Sequence, residues 1–257
     1  VGDEFTEGRD EDGWLRHLYD RWRDKAAKKG HHFPEFDGFW QEGYIQLPVE
    51  KSHAVFSDFR EDPEKHHLQT PSGKIEIFSE KIDAFGYEDC PGHPVWRAPL
   101  EWLGNERAST YPLMMVANNP KTRLHSQLDI GKYSQDSKIN GREPVRIHPD
   151  DAAARGISDG DVVRIYNDRG SALAGVIVSD VVRPQVIQLS TGAWYDPLDR
   201  ADHDSMCVHG NPNMLTLDVG SSSLGQGCVG QHALVEIERW DAELPPVKVL
   251  GPPPIRS

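Results

Sequence analysis

Basic residues are scarce in this chain. Its 28 lysines and arginines face 41 aspartates and glutamates, for a formal charge of −13. That balance would repel the phosphate backbone that a nucleic-acid binder must neutralise. A single phosphorylated ligand is not excluded, because one pyrophosphate needs only a few N–H groups and one or two cations. Cysteine is scarcer still. Cys90, Cys207 and Cys228 are scattered, with no CxxC spacing, so neither a zinc knot nor an iron–sulfur site is written here and structural disulfides are not expected. Apolar runs fall well short of the ~20 residues that a membrane-spanning helix needs, and no charged-then-apolar leader opens the chain. The chain begins at Val1, a start that suits a fragment or processed product as well as a complete protein. The 37% apolar content omits 23 glycines; with them, the composition is that of a soluble folded protein.

Residues 1–108 read as helix and loop. Between Gly13 and Gly30, Trp14, Leu18, Trp22 and Ala26 recur at helical spacing among Arg, Asp and Lys, which predicts a packed helix. The aromatic run Phe33 to Trp40 reads as core packing rather than as a stacking platform for a ligand. Thr70-Pro71-Ser72-Gly73 predicts a turn, Lys74–Phe78 a short alternating strand, and Ser79–Phe85 a brief helix. Prolines 91, 94 and 99 make an extended connector, and a domain boundary is expected near residue 108. The next domain runs to about residue 245, and 246–257 form a Pro-rich tail.

From there the texture is β-rich. Tyr111–Ala117, Pro144–Ile147, Asp161–Tyr166, Ala172–Val178, Gln185–Leu189 and Ala233–Ile237 are short and rich in β-branched residues, and six such strands suggest a closed barrel. A small helix is expected from Asp150 to Arg155, ended by Gly156, with Asp150 in its first turn or at its cap. Asn167-Asp168-Arg169-Gly170 reads as a hairpin turn.

Two irregular segments concentrate polar groups. Asn118 to Gln127 leaves an apolar strand and offers Arg123, with its planar fork of donors, together with His125, Ser126 and backbone N–H groups. Such a loop either cradles a pyrophosphate or is simply solvated. His203 to Gln231 is dense in Gly, Ser, Asn and His, and long loops of this kind tend to be functional. Within it, His209-Gly210-Asn211-Pro212-Asn213 brings amides suited to the edge of a heterocycle, and Gly220 and Gly225 to Gly227 allow close backbone approach. The pairs His31-His32 and His66-His67 read as solvated, since adjacent side chains rarely point at one ion. No nucleophile or acid–base triad has a convincing spacing. Read alone, the residues describe a binding module more clearly than an enzyme.

Several motifs in order resemble the C-terminal region of the dimethyl sulfoxide reductase family of molybdenum enzymes. They are Asn119-Pro120 with Arg123-Leu124-His125-Ser126-Gln127, Val145-Arg146-Ile147-His148-Pro149-Asp150, Gly160-Asp161-Val162-Val163 with Asn167-Asp168-Arg169-Gly170, and Gly192-Ala193-Trp194-Tyr195-Asp196-Pro197. His209 to Asn213 with Leu215-Thr216, and Gly230-Gln231, complete the series. In that family the region is a double-psi β-barrel that binds a pterin dinucleotide, so the resemblance implies a mixed α+β chain, mainly β, whose barrel (109–245) follows the helical and irregular end of a catalytic region (1–108). The cysteine pattern and the sequence around His209 look closest to the biotin sulfoxide and trimethylamine N-oxide reductases.

The resemblance implies that Ala117, Asn118, Asn119, Pro120, Arg123, His125, Ser126, Gln127, Asn213, Gly230 and Gln231 contact the cofactor, bis(molybdopterin guanine dinucleotide) molybdenum. Phosphate and pterin hydrogen bonds fall to Arg123, His125, Ser126 and Gln127, and heterocycle contacts to Asn213 and Gln231. It implies an S-oxide or N-oxide substrate, an electron donor, upstream domains of the same enzyme as partners, and a cytoplasmic setting. Whole enzymes of this type are about three times longer and carry the protein ligand to molybdenum upstream, so this chain alone is expected to be inactive. Two rivals are a noncatalytic barrel sharing the fold but not the chemistry, and a self-processing decarboxylase cut at Gly170-Ser171 or Gly220-Ser221.

Overall fold

Alternating apolar and polar residues after position 112 build six strands close to where the pattern puts them. In the computed structural model, which describes residues 2–48 and 54–252, these are β1 (Leu113–Val116), β2 (Pro144–Ile147), β3 (Val162–Tyr166), β4 (Ser171–Val178), β5 (Val186–Leu189) and β6 (His232–Arg239). They close into a barrel in the order β1-β5-β2-β4-β3-β6. Two pairs, β1 with β5 and β2 with β4, are parallel, and the other four are antiparallel. Exchanging β1 with β4, β2 with β5 and β3 with β6 maps every pairing onto one of the same sense. That internal two-fold, with its two parallel crossovers, is the double-psi arrangement.

Leu113, Met115, Val145, Ile147, Val163, Ile165, Val176, Ile187, Leu189, Val235 and Ile237 fill the interior. Each buried side chain of this size contributes roughly 1.5–3 kcal/mol. β4 is covered on its outer face as well. Cys207 runs parallel to Ala172, and Val162, Leu173 and Val208 form a second cluster there. Gly175 of β4 has no substitute, because a Cβ would lie 2.3 Å from the Ile139 Cβ. The helix after β2 spans Pro149–Ala153. Its cap is His148, whose Nδ1 accepts the Asp150 N–H at 3.2 Å, while Asp150 lies in the first turn. Gly156, at φ 62°, lets the chain reverse, and Ile157 returns to the core.

The described chain divides into two compact units, 1–75 and 76–257. In the first, the helix Glu11–Ala27 is capped by Asp10, which accepts the Gly13 N–H at 2.8 Å. Tyr19 is its buried residue; it stacks on Phe39 at 4.7 Å, meets Phe36 edge-on, and donates its hydroxyl to the Pro34 carbonyl. Leu18 and Trp22, expected on the packed stripe, are 54% and 37% exposed. Tyr19 takes the buried place because its ring packs on Phe36 and Phe39 while its hydroxyl keeps a partner in the Pro34 carbonyl. The aromatic run Phe33 to Trp40 packs on itself and on this helix, but of its rings only Phe36 is buried, and Trp40 is 60% exposed.

The turn at residues 70–73 forms, with Gly73 N–H donating to the Thr70 carbonyl. The strand Lys74–Phe78 does not. Ile75 and Ile77 are 75% and 81% exposed, and among the described residues the segment joins no sheet, so its alternation buries no face. The helix beyond it is only Glu80–Asp83, capped by Ser79. The second unit begins at Glu76, so the connector and residue 108 lie within it. No helix among the described residues is long and apolar enough to cross a membrane.

Candidate functional site

Strand polarity decides which loops can meet. Because β1 and β5 run parallel and β2, β6 antiparallel to them, one barrel end collects the exits of β1, β3 and β5 and the entries of β2, β4 and β6. Both polar segments singled out from the sequence emerge there. The Ala117 N–H donates to the Gln231 carbonyl at 2.8 Å, and the Thr191 N–H to the Asn118 carbonyl at 2.9 Å. The Ser190 hydroxyl reaches Asn118 Oδ1 at 3.3 Å. Residues 117–119, 190–191 and 230–232 therefore form one rim.

Beside this rim is a cleft of about 220 Å³, lined by Asn118, Asn119, Lys121, Arg146, Gln188 and Ser190 among others. Lys121 and Arg146 make no ion pair or side-chain hydrogen bond among the described residues, whereas the cleft's one carboxylate, Glu143, is taken by Lys138 at 2.8 Å. Two free cations with amide and hydroxyl groups, on a chain of charge −13, make this a local anion trap.

Arg123 has a different place from the one its composition suggests. Its side chain is fully enclosed. Nε donates to the His125 carbonyl at 3.0 Å, one terminal nitrogen to Ser134 Oγ at 3.2 Å, and the other to the Thr191 carbonyl at 3.1 Å. Asp129 and Glu143 flank it at 3.5 and 3.1 Å, and Lys138 Nζ sits 2.8 Å from both carboxylates. The fork of donors is thus spent inside the protein, and Arg123 shapes the loop from behind instead of facing a ligand. Two buried cations against two buried anions keep the cluster neutral, which is what permits burial at all. Burial alone would raise the Asp129 carboxyl, but Lys138, the Trp194 N–H and Arg123 outweigh it and hold it below the usual carboxylate range.

The loop's tip is held from the other side by β5's exit. Trp194 Nε1 donates to the Ser126 carbonyl at 2.8 Å, and the Trp194 N–H to Asp129 Oδ2 at 3.1 Å. Gly192, at φ 92°, lies so close that a Cβ would fall 2.0 Å from the His125 carbonyl oxygen. His125, itself at φ 49°, Ser126 and Gln127 are exposed.

The later segment builds a second cleft, of about 690 Å³, lined by Asn213, Thr216, Gly220, Gln226, Cys228 and Gly230 among others. The Asn213 N–H is capped by Asn211 Oδ1 at 2.9 Å, leaving its side chain exposed. The Leu215 carbonyl receives Asn167 Nδ2 at 2.8 Å and Arg169 Nε at 2.9 Å, which pins this segment to the β3–β4 turn.

Of the eleven residues expected at the site, Ala117 is buried in the rim, and Asn118, Asn119 and Pro120 line the first cleft. Gly230 and Gln231 adjoin that rim through the Ala117–Gln231 bond, and Asn213 and Gly230 line the second cleft. Sequence reasoning missed Lys121, Arg146, Gln188 and Ser190. Arg146 was findable, since it alternates with inward Val145 and Ile147 on β2 and so must point outward. Asp129, Lys138 and Glu143 had no local signal.

Residues 113–233 match the family described as molydopterin dinucleotide binding domain, and with its double-psi topology the barrel is a domain of that class. The chain is 48% identical over 241 residues to a dimethyl sulfoxide/trimethylamine N-oxide reductase of Cereibacter sphaeroides, covering 93% of this chain and 29% of the relative. It is 47% identical to a biotin sulfoxide reductase of the same organism, over 91% of this chain and 31% of the relative. A trimethylamine-N-oxide reductase of Salmonella typhimurium is 42% identical over 97% of this chain and 30% of the relative. Acetylene hydratase from Pelobacter acetylenicus shares the fold, with a TM-score of 0.58 and 19% identity over 80% of this chain and 28% of that one. Over more than nine-tenths of its own length the chain is similar to these S-oxide and N-oxide reductases, and it spans about three-tenths of the length of the relatives it matches.

Proposed function

We propose that this chain is the dinucleotide clamp of a longer enzyme that reduces S-oxides or N-oxides by oxygen-atom transfer, using bis(molybdopterin guanine dinucleotide) molybdenum. The observation that carries the reading is the cleft with Lys121 and Arg146 unpaired at the barrel end. Its donor set suits a pyrophosphate: two cations without counter-ions, with amides and a hydroxyl between them. Asn213 and Gln231 supply amides for a heterocycle, and exposed His125, Ser126 and Gln127 complete the wall. Arg123, Asp129, Lys138 and Glu143 hold that wall in shape.

When bound, the cofactor supplies the oxygen-accepting, two-electron centre, and the protein's part is to bind and orient it. The net reaction takes an oxide, two electrons and two protons to the reduced compound and water. The electrons come from a separate donor, and the remaining domains of the enzyme complete the substrate pocket. The resemblance around His209 to biotin sulfoxide reductases favours the cytoplasm as its compartment, which cell fractionation tests.

The test of function uses the complete enzyme. Molybdenum per chain is measured alongside reduction of dimethyl sulfoxide and trimethylamine N-oxide with a reduced dye as donor. Turnover of at least one oxide in proportion to molybdenum is expected. A molybdenum-loaded enzyme inert toward both oxides would overturn the reading.

A further inference from the structure

His209 is wholly buried, at 0% exposure, in the interior of the cluster behind the 117–127 loop. Its Nδ1 lies 3.0 Å from the Trp194 carbonyl and 3.9 Å from Asp129 Oδ2. Its own carbonyl accepts the Glu143 N–H at 3.0 Å. A carbonyl can only accept, so Nδ1 carries the proton. Nε2 is buried with no hydrogen-bonding partner, and a proton there would be a buried donor with no acceptor. Charge agrees with geometry. Arg123 and Lys138 already balance Asp129 and Glu143, so a charged imidazole would leave the cluster with a net positive charge.

We propose that His209 is a positioning residue for the cofactor wall: its Nδ1–H fixes the Trp194 carbonyl, and Trp194 in turn fixes the Ser126 carbonyl and the loop from 123 to 127. The links are continuous. His209 holds Trp194, whose main-chain N–H donates to Asp129 and whose indole N–H donates to Ser126. Arg123 then closes the circuit by donating to the His125 carbonyl. The charged groups facing the imidazole are Lys138 and the carboxylates of Asp129 and Glu143, with Arg123 behind them. Burial, reinforced by Lys138, holds the imidazole below its ordinary range. Protonating it at low pH turns a neutral pin into an uncompensated charge and loosens the wall.

The inference rests on the dinucleotide-clamp reading for its meaning but not for its test. Amide hydrogen exchange is followed in the complete enzyme, over residues 118–131 and over β3 as an internal control. His209→Leu removes the donor, and His209→Asn keeps an amide donor near Nδ1 but cannot titrate. In His209→Leu, protection over 118–131 should fall about tenfold, the scale of one lost hydrogen bond, with β3 unchanged. The parent should lose protection there as pH falls below about 6.5, whereas His209→Asn should match the parent at neutral pH and stay flat on acidification. Parental protection in His209→Leu, or an acid response kept by His209→Asn, would overturn the proposal. If His209→Leu also loosens β3, His209→Asn decides alone: a flat acid profile supports the pin and a parental one refutes it. The predicted exchange pattern in a preparation that never carries guanine nucleotide would sink the clamp reading while leaving the positioning role intact.

Discussion

Glu101 and Arg169 form a two-pronged ion pair, with the guanidinium nitrogens 2.8 and 2.9 Å from the two carboxylate oxygens. Glu101 is 3% exposed and also accepts the Leu234 N–H at 3.0 Å, so one side chain ties the segment before β1 to the β3–β4 turn and to β6. Glu101→Ala leaves the half-buried Arg169 guanidinium hydrogen-bonded only to the Leu215 carbonyl and leaves a buried strand N–H without its acceptor. A loss of roughly 3 kcal/mol is expected, read by chemical denaturation. Glu101→Gln should cost less, because it can still accept from Leu234.

The same carboxylate predicts acid behaviour. Burial would raise its affinity for a proton, but Arg169 and the Leu234 N–H outweigh burial and hold it below the usual range. Asp129 is shifted in the same direction. A depressed folded value means that the unfolded state takes up protons first. The stabilisation is therefore complete above about pH 4–5 and is lost as pH falls through the lowered folded values. Thermal melts against pH should show this slope, and Glu101→Gln should flatten part of it.

Gly192→Ala places a methyl group onto the His125 carbonyl at a backbone angle that side chains avoid. A cost of about 2 kcal/mol or more is expected from strain of this kind, with faster tryptic cleavage after Lys121. Unchanged stability and unchanged cleavage would mean that the 123–127 loop is not held by this approach.

Much of the barrel was legible because β-branched residues alternate between a dry inside and a wet outside, as Val145-Arg146-Ile147 do. Lys74–Phe78 alternates equally well, yet it joins no sheet among the described residues, and pairing is not written in one segment. Tyr19 was missed because the periodicity of Trp14, Leu18 and Trp22 says nothing about which ring finds Phe36, Phe39 and the Pro34 carbonyl.

At the site, the loop at Asn118–Pro120 was readable from its composition, and the topology places it beside Gln231. Arg123 was misplaced for a physical reason. A guanidinium in a polar loop looks exposed until Asp129, Lys138, Glu143 and Ser134 are brought around it by later chain reversals. Lys121 and Arg146, whose side chains stay unpaired, are the cations the sequence offered without ranking them.

The clamp is tested most directly by guanine nucleotide released per chain from the complete enzyme and from its Lys121→Ala/Arg146→Ala double variant, with Arg183→Ala, an exposed arginine on the β4–β5 connection at the opposite barrel end, as a charge control. Each removed charge-assisted contact should weaken retention by about tenfold or more. The account therefore predicts near-stoichiometric nucleotide in the parent and the control, and its loss in the double variant, with the barrel still folded. Full retention in the double variant would contradict it.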